Sequence, residues 1–105
     1  MIDQEAAEKA SQYLVDSAFA FGAARARMFK ADKMLNHVRS VVFIHSDATT
    51  AAAREAEAYA SKEYLAAIEE LRAATEEAEK LKAAREAAEV RVDLWRTISA
   101  RQRGA

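Results

Sequence analysis

The side chains able to do chemistry are few, and their spacing is poor for it. His37 and His45 are the only histidines. Eight residues apart on a helix, they stand on neighbouring faces about two turns on. With Asp47 they still lack the His-x3-His and His-x-x-Glu-His spacings through which helices bind zinc. They read as helix-surface or tip histidines, with no metal site. Ser11, Ser17, Ser40, Ser46, Ser61 and Ser99 have no recognisable base arrangement. There is no cysteine to supply a thiolate, and two glycines cannot build a phosphate-cradling loop. The residues predict a protein that is not an enzyme, with no catalytic residue, cofactor or small-molecule substrate.

Charge offers binding chemistry instead. Arg91, Arg96, Arg101 and Arg103 form a basic tail able to neutralise phosphates, with Trp95 available for base stacking. The competing reading is a solvated helix end, its cations complementing the negative end of the helix dipole. Trp95 then belongs to an apolar seam with Val92 and Ile98, and this second reading is preferred. A row of carboxylates, Glu69-Glu70 and Glu76-Glu77 followed by Glu79, could imitate a phosphate backbone. The preferred reading there is an ordinary solvated helix face, in which Glu76 and Lys80 form an i,i+4 pair.

These residues must be positioned by helices. The 105-residue chain has no proline, and its only glycines are Gly22 and Gly104. Roughly a quarter of it is alanine, the best helix former, far above ordinary usage. The spacing predicts an all-α fold, a long antiparallel helical hairpin resembling a coiled coil, in one domain. The first helix spans 3–45, the turn 46–49 and the second helix 50–102. In the first helix Leu14, Ala18, Phe21, Met28, Leu35, Val38 and Val42 recur at helical period. Tyr13, Phe19, Phe29, Met34, Val41 and Ile44 widen that stripe. The second stripe reads Tyr64, Ile68, Leu71, Ala74, Ala78, Leu81, Ala84, Ala88, Val92, Trp95 and Ile98. Gly22 costs about 1 kcal/mol relative to alanine, a cost that close approach of a neighbouring backbone beside Phe21 would offset. Asp47 or Thr49 is the expected N-cap of the second helix. Ser61 reads as an exposed serine within that helix; the alternative is a kink there, with Ser61 as a second N-cap.

Net charge is −1, but the signs are segregated. Residues 1–24 sum to −3, 25–40 to +4, 55–79 to −6 and 90–105 to +3. Folding back at the turn sets Arg25, Arg27, Lys30, Lys33 and Arg39 beside Glu55, Glu57, Glu63, Glu69 and Glu70. It likewise sets Asp3, Glu5 and Glu8 beside Arg91, Arg96, Arg101 and Arg103. Each exposed pair is worth under about 1 kcal/mol, yet the pattern favours the antiparallel register and penalises a parallel one. A hairpin of this length, some 60 to 75 Å at helical rise, buries little of its surface. Its wide stripe therefore predicts self-association, as a dimeric four-helix bundle or a higher oligomer. The candidate interface is Phe19, Phe21, Phe29, Met34, Val41, Phe43, Ile44 and Trp95. The acidic opening Met1-Ile2-Asp3-Gln4-Glu5 lacks a signal peptide's basic start. The most strongly apolar run, Val41-Val42-Phe43-Ile44, is far short of the roughly 20 residues of a membrane span. A cytoplasmic protein is expected, with no membrane partner.

Ala53-Arg54-Glu55-Ala56, Tyr59, Ser61, Glu63-Tyr64, Leu81 and Val92-Asp93-Leu94-Trp95-Arg96-Thr97 form a pattern in the second half that resembles a group of small helical proteins encoded by tailed bacteriophages and prophages. The resemblance implies a phage early gene for recombination or replication, in the cytoplasm of a bacterial host, and supplies no catalytic residue. The expected function is a non-enzymatic accessory protein acting through protein contacts and through single-stranded DNA at the four arginines. Two alternatives stand beside it: an inhibitor of a host nuclease or defence complex using the acidic helix face, and a structural coiled-coil adaptor.

Overall fold

The structure, a computed structural model, describes residues 3–104. Met1 and Ile2 of the acidic opening therefore lie outside the described residues. The described chain is all helical: α1 (Gln4–Asp16), α2 (Ala18–His45), α3 (Ala51–Ala60) and α4 (Lys62–Gly104). It divides into two compact units. Unit 1 takes the chain up to Ala23 together with the chain from Ala78, and unit 2 is Ala24–Glu77.

Short polar side chains make the helix boundaries at Asp3, Ser17, Thr50 and Ser61. Asp3 caps α1, its Oδ1 accepting from the Ala6 amide at 2.8 Å. The break at Ser17 went unforeseen in the sequence. Ser17 Oγ donates back to the Tyr13 carbonyl at 2.6 Å, a one-turn back-bond that bends helices. Arg85 Nη1, reaching over from α4, donates to the Leu14 carbonyl at 2.7 Å and to Ser17 Oγ at 2.6 Å. A foreign donor inserted at the ladder is a recognised cause of a local kink.

The turn differs from the expected one by a few residues. Thr50, not Asp47 or Thr49, is the N-cap of α3; its backbone is extended and its Oγ1 accepts from the Ala53 amide at 3.1 Å. The preceding residues are already held as a turn. Ser46 Oγ accepts from the Ala48 amide at 3.1 Å and donates to Glu57 Oε2 at 2.5 Å, while Arg54 Nε donates to the Ala48 carbonyl. Ser61 is not the exposed mid-helix serine preferred from the sequence. Its ψ of 151° breaks the helix; its Oγ donates to the Ala58 carbonyl at 2.7 Å and accepts from the Tyr64 amide at 3.1 Å. One hydroxyl thus closes α3 and caps α4.

Within each unit the helices from the two halves of the chain run antiparallel. In unit 1 Ala10, Ala88 and Val92 form a buried cluster, with Tyr13 and Leu14 packed against it. In unit 2 Arg27 pairs with Glu70 at 2.6 Å and Glu77 at 2.7 Å, and Arg39 with Glu55 at 3.7 Å. These are the helix-to-helix pairings expected between the basic and acidic blocks. The second pair of blocks is brought together in part, with Glu8 and Arg96 on one groove, but no ion pair joins them among the described residues. Asp3 caps its own helix, Glu5 pairs with Lys9, Glu8 accepts from Gln4, and Arg96 pairs with Asp93. All of these are local.

The buried residues are small. Ala7, Ala10, Ala24, Ala31, Ala58, Ala74, Ala78 and Ala88 are buried, and Val92 is the largest apolar side chain among them. Ala18, Ile68 and Ala84, expected inside, are exposed. At two of these places polar partners have the inward position: Ser17 is buried where Ala18 was expected, and half-buried Arg85 faces it where Ala84 was expected. Gly22 also departs from expectation, since a Cβ built there meets nothing within 4 Å. No neighbouring backbone requires it.

Two stability outcomes follow. Gly22→Ala should stabilise the fold by about 0.5–1 kcal/mol, because the helix gains propensity with no clash. Arg85→Ala should cost about 1–2 kcal/mol through its lost bonds to Leu14 and Ser17. Urea titration followed by circular dichroism checks both, and a destabilised G22A would show that the glycine has a packing role.

Candidate interaction surface

The residues singled out for nucleic acid are not brought together. Arg91, Arg96, Arg101 and Arg103 are all exposed on the last turns of α4. At 3.6 residues per turn Arg96 and Arg103 lie about 20° apart, whereas Arg101 points away from both. Arg91 borders an alanine-lined groove with Lys9 and Tyr13. Arg96 borders a different groove, beside Trp95, Val92, Val15 and the carboxylate-bearing Glu8. Trp95 is half-buried there, on the seam with Val92 and Ile98.

The acidic row is likewise engaged within the chain. Arg72 holds Glu69 at 2.7 Å and Glu76 at 2.8 Å, and Arg27 holds Glu70 and Glu77. The hydrogen bond from Arg72 is the main cause that lowers the Glu69 carboxyl below the usual carboxylate range. The Glu69 and Glu76 bonds in turn raise the Arg72 guanidinium, and the Glu70 bond leads in raising Arg27. Glu69, Glu70, Glu76 and Glu77 are therefore all bonded to arginine, not aligned as free charge.

The candidate interface residues divide by exposure. Phe19 is 92% exposed, Ile44 69% and Phe29 54%; Met34 and Val41 are exposed to lesser degrees. Phe21 is half-buried beneath the Arg85 guanidinium, 5.4 Å from its ring centre. Arg25 lies over Phe29 in the same way, at 5.6 Å. Phe43 and Ile44 line a groove with Ala51 and Ala52, closed at one side by Arg39 and Glu55. Arg39 ties α3 down there: its Nη1 donates to the Tyr59 hydroxyl at 2.6 Å, its guanidinium covers the Tyr59 ring, and Tyr59 meets Tyr64 edge-on. Leu65 and Ile68 of α4 are also exposed and were missed as surface. Ile68 was assigned to the core stripe, and Leu65, three residues before it, was not singled out.

A further groove in unit 2 lies between α2 and α4. Its floor is Ala31, Met34, Val38, Ala66 and Ala67; Arg27 and Lys30 edge it on α2, Glu63 and Glu70 on α4. Among the described residues no cluster of three or more His, Cys, Asp or Glu forms, and no helix is long and apolar enough to cross a membrane. His45 Nδ1 instead lies 2.9 Å from the Val41 carbonyl on its own helix. Protein-family models, curated proteins and solved structures were compared with this chain, and none matches.

Arg72→Ala should return Glu69 to the ordinary carboxylate range. Because the native value is depressed, the pair's contribution is present above the unfolded carboxylate pKa and fades as pH falls through the native one. Carboxyl carbon shifts followed by NMR against pH report this. An unchanged Glu69 titration in R72A would refute the assignment of the shift to Arg72.

Proposed function

We propose that this chain is a non-enzymatic interaction module that works through protein contacts and assembles with itself. The observation that carries the reading is the inversion of side-chain size. Alanines occupy the helix contacts, while Phe29, Met34, Val41, Ile44, Leu65 and Ile68 stand exposed in unit 2. Scattered surface apolar residues are ordinary, but large ones outside a core of small ones provide anchors for a partner.

The phage recombination or replication setting rests on the resemblance of the second half of the chain, and the module would act there as an accessory protein. Direct single-strand binding is the weaker part of that reading, because the four arginines are spread around α4 and Glu8 borders the Trp95 groove. Inhibition through a free acidic face is weakened similarly, since Arg27 and Arg72 engage the carboxylates it would use.

A photo-crosslinking amino acid at Met34 or Val41, with Lys82 as control, tests the reading in producing cells. Protein adducts, self or foreign, are expected from 34 and 41 and not from 82. Adducts equally weak at all three positions would overturn it.

A further inference from the structure

Resting on that reading, we infer that the groove of unit 2 floored by Ala31, Met34 and Val38 seats a second copy of this chain, related by a two-fold axis running along the helices. Two independent features of the groove converge on this occupant.

The first is its floor. Met34 and Val38 from α2 meet Ala66 and Ala67 from α4 in an open apolar trough, and α3 is tied elsewhere through Arg39 to Tyr59 and Glu55. The stretch of α4 in unit 2, residues 62–77, runs about 24 Å, and two adjacent helices present about 20 Å of width. A copy seated on that face would bury about 500 Å² per partner, or about 1,000 Å² in all, the area a specific interface has to reach.

The second is the sign of its edges. The α2 edge carries Arg27 and Lys30, and the α4 edge carries Glu63 and Glu70. Arg27 and Glu70 bond to one another. Lys30 and Glu63 have no ion pair or hydrogen bond within the described chain. A groove basic along one edge and acidic along the other is its own complement, provided the symmetry exchanges the edges. A two-fold axis along the helices does so, laying α2 of one copy over α4 of the other. An in-plane axis across the helices would instead lay α2 on α2, basic on basic, and α4 on α4, acidic on acidic. Like charges facing each other across an interface are strongly disfavoured. The charges therefore choose the first arrangement, an isologous contact that makes a four-helix bundle.

The test is sedimentation equilibrium across micromolar concentrations, with circular dichroism confirming unchanged helicity. Neither Lys30 nor Glu63 has an ion pair to lose among the described residues, and the first-turn position of Glu63 in α4 costs its reversal under about 1 kcal/mol, so both variants should stay folded. Lys30→Glu and Glu63→Lys should each weaken the dimer about tenfold. The double variant K30E/E63K, which exchanges the edges, should recover most of the loss, and Met34→Asp should abolish association. The chain has no native cysteine, so single cysteines report the symmetry. A short bis-maleimide should join Lys30→Cys protein to Glu63→Cys protein in a mixture, and should scarcely join Lys30→Cys protein to itself. A monomeric wild type overturns the proposal, as does a dimer indifferent to M34D, a double variant no better than the singles, or efficient 30-to-30 crosslinking. If the wild type is monomeric while position 34 still captures another protein in cells, the interaction module stands and only the second copy is lost.

Discussion

The constraint on which this fold depends is the size of what lies between its helices. Interaxial distance is set by the side chains at the contact, and here those are alanines, with Val92 the largest buried apolar residue. Methyl groups allow close approach of the backbones but leave no space for a phenyl or isobutyl group between them. Leu14, Met28, Leu35 and Leu71 are consequently held at the flanks, half-buried, while Phe19, Phe29 and Ile44 are turned outward. A buried alanine removes little apolar area from water. The contacts must therefore be many and continuous, and few large anchors hold the helices in register.

Register is supplied instead by three arginines. Arg85 crosses from α4 to the Ser17 turn, Arg27 crosses from α2 to two glutamates of α4, and Arg39 fastens α3 to α2. The rigid fork of guanidinium suits this work, since it can bind two acceptors at a defined spacing and cover an aromatic face at once. Arg85 binds neutral oxygens and lies over Phe21, so its contribution is positional. Exposed pairs of the Arg27 kind each contribute little energy. What they do is make the antiparallel alignment better than its neighbours.

Much of this was legible in the sequence, and the failures have a common cause. Helical period and the absence of proline marked the helices, and the segregated charges anticipated which blocks of unit 2 would pair. Ser17, Thr50 and Ser61 set the boundaries that were misread. In a chain without helix breakers, a hydroxyl that bonds its own backbone is the remaining means of interruption, and whether it does so depends on a distant donor such as Arg85 or on local ψ. Counting only apolar residues also hid the inward polar pair of Ser17 and Arg85, which occupies the place assigned to Ala18 and Ala84. Glu8 and Arg96 do come to one groove, but the charge blocks at the chain ends form no ion pairs across it, because a nearby partner in the same helix was available to each of Glu5, Glu8 and Arg96.

Sequence composition alone would place the working surface on the most charged or most aromatic segment, and the structure argues against using either criterion by itself. Charge within reach of an opposite partner in the same chain is already engaged, as the glutamates around Arg72 and Arg27 are. Aromatic rings beneath a guanidinium, such as Phe21 and Phe29, are likewise partly covered. What remains after both filters is an apolar side chain only partly covered or a charge with no partner among the described residues. In the α2–α4 groove of unit 2 the two kinds of remainder coincide: Met34 is exposed, and Lys30 and Glu63 edge the same trough. Burial and pairing are independent physical criteria, so their agreement at one place carries more weight than either feature standing alone.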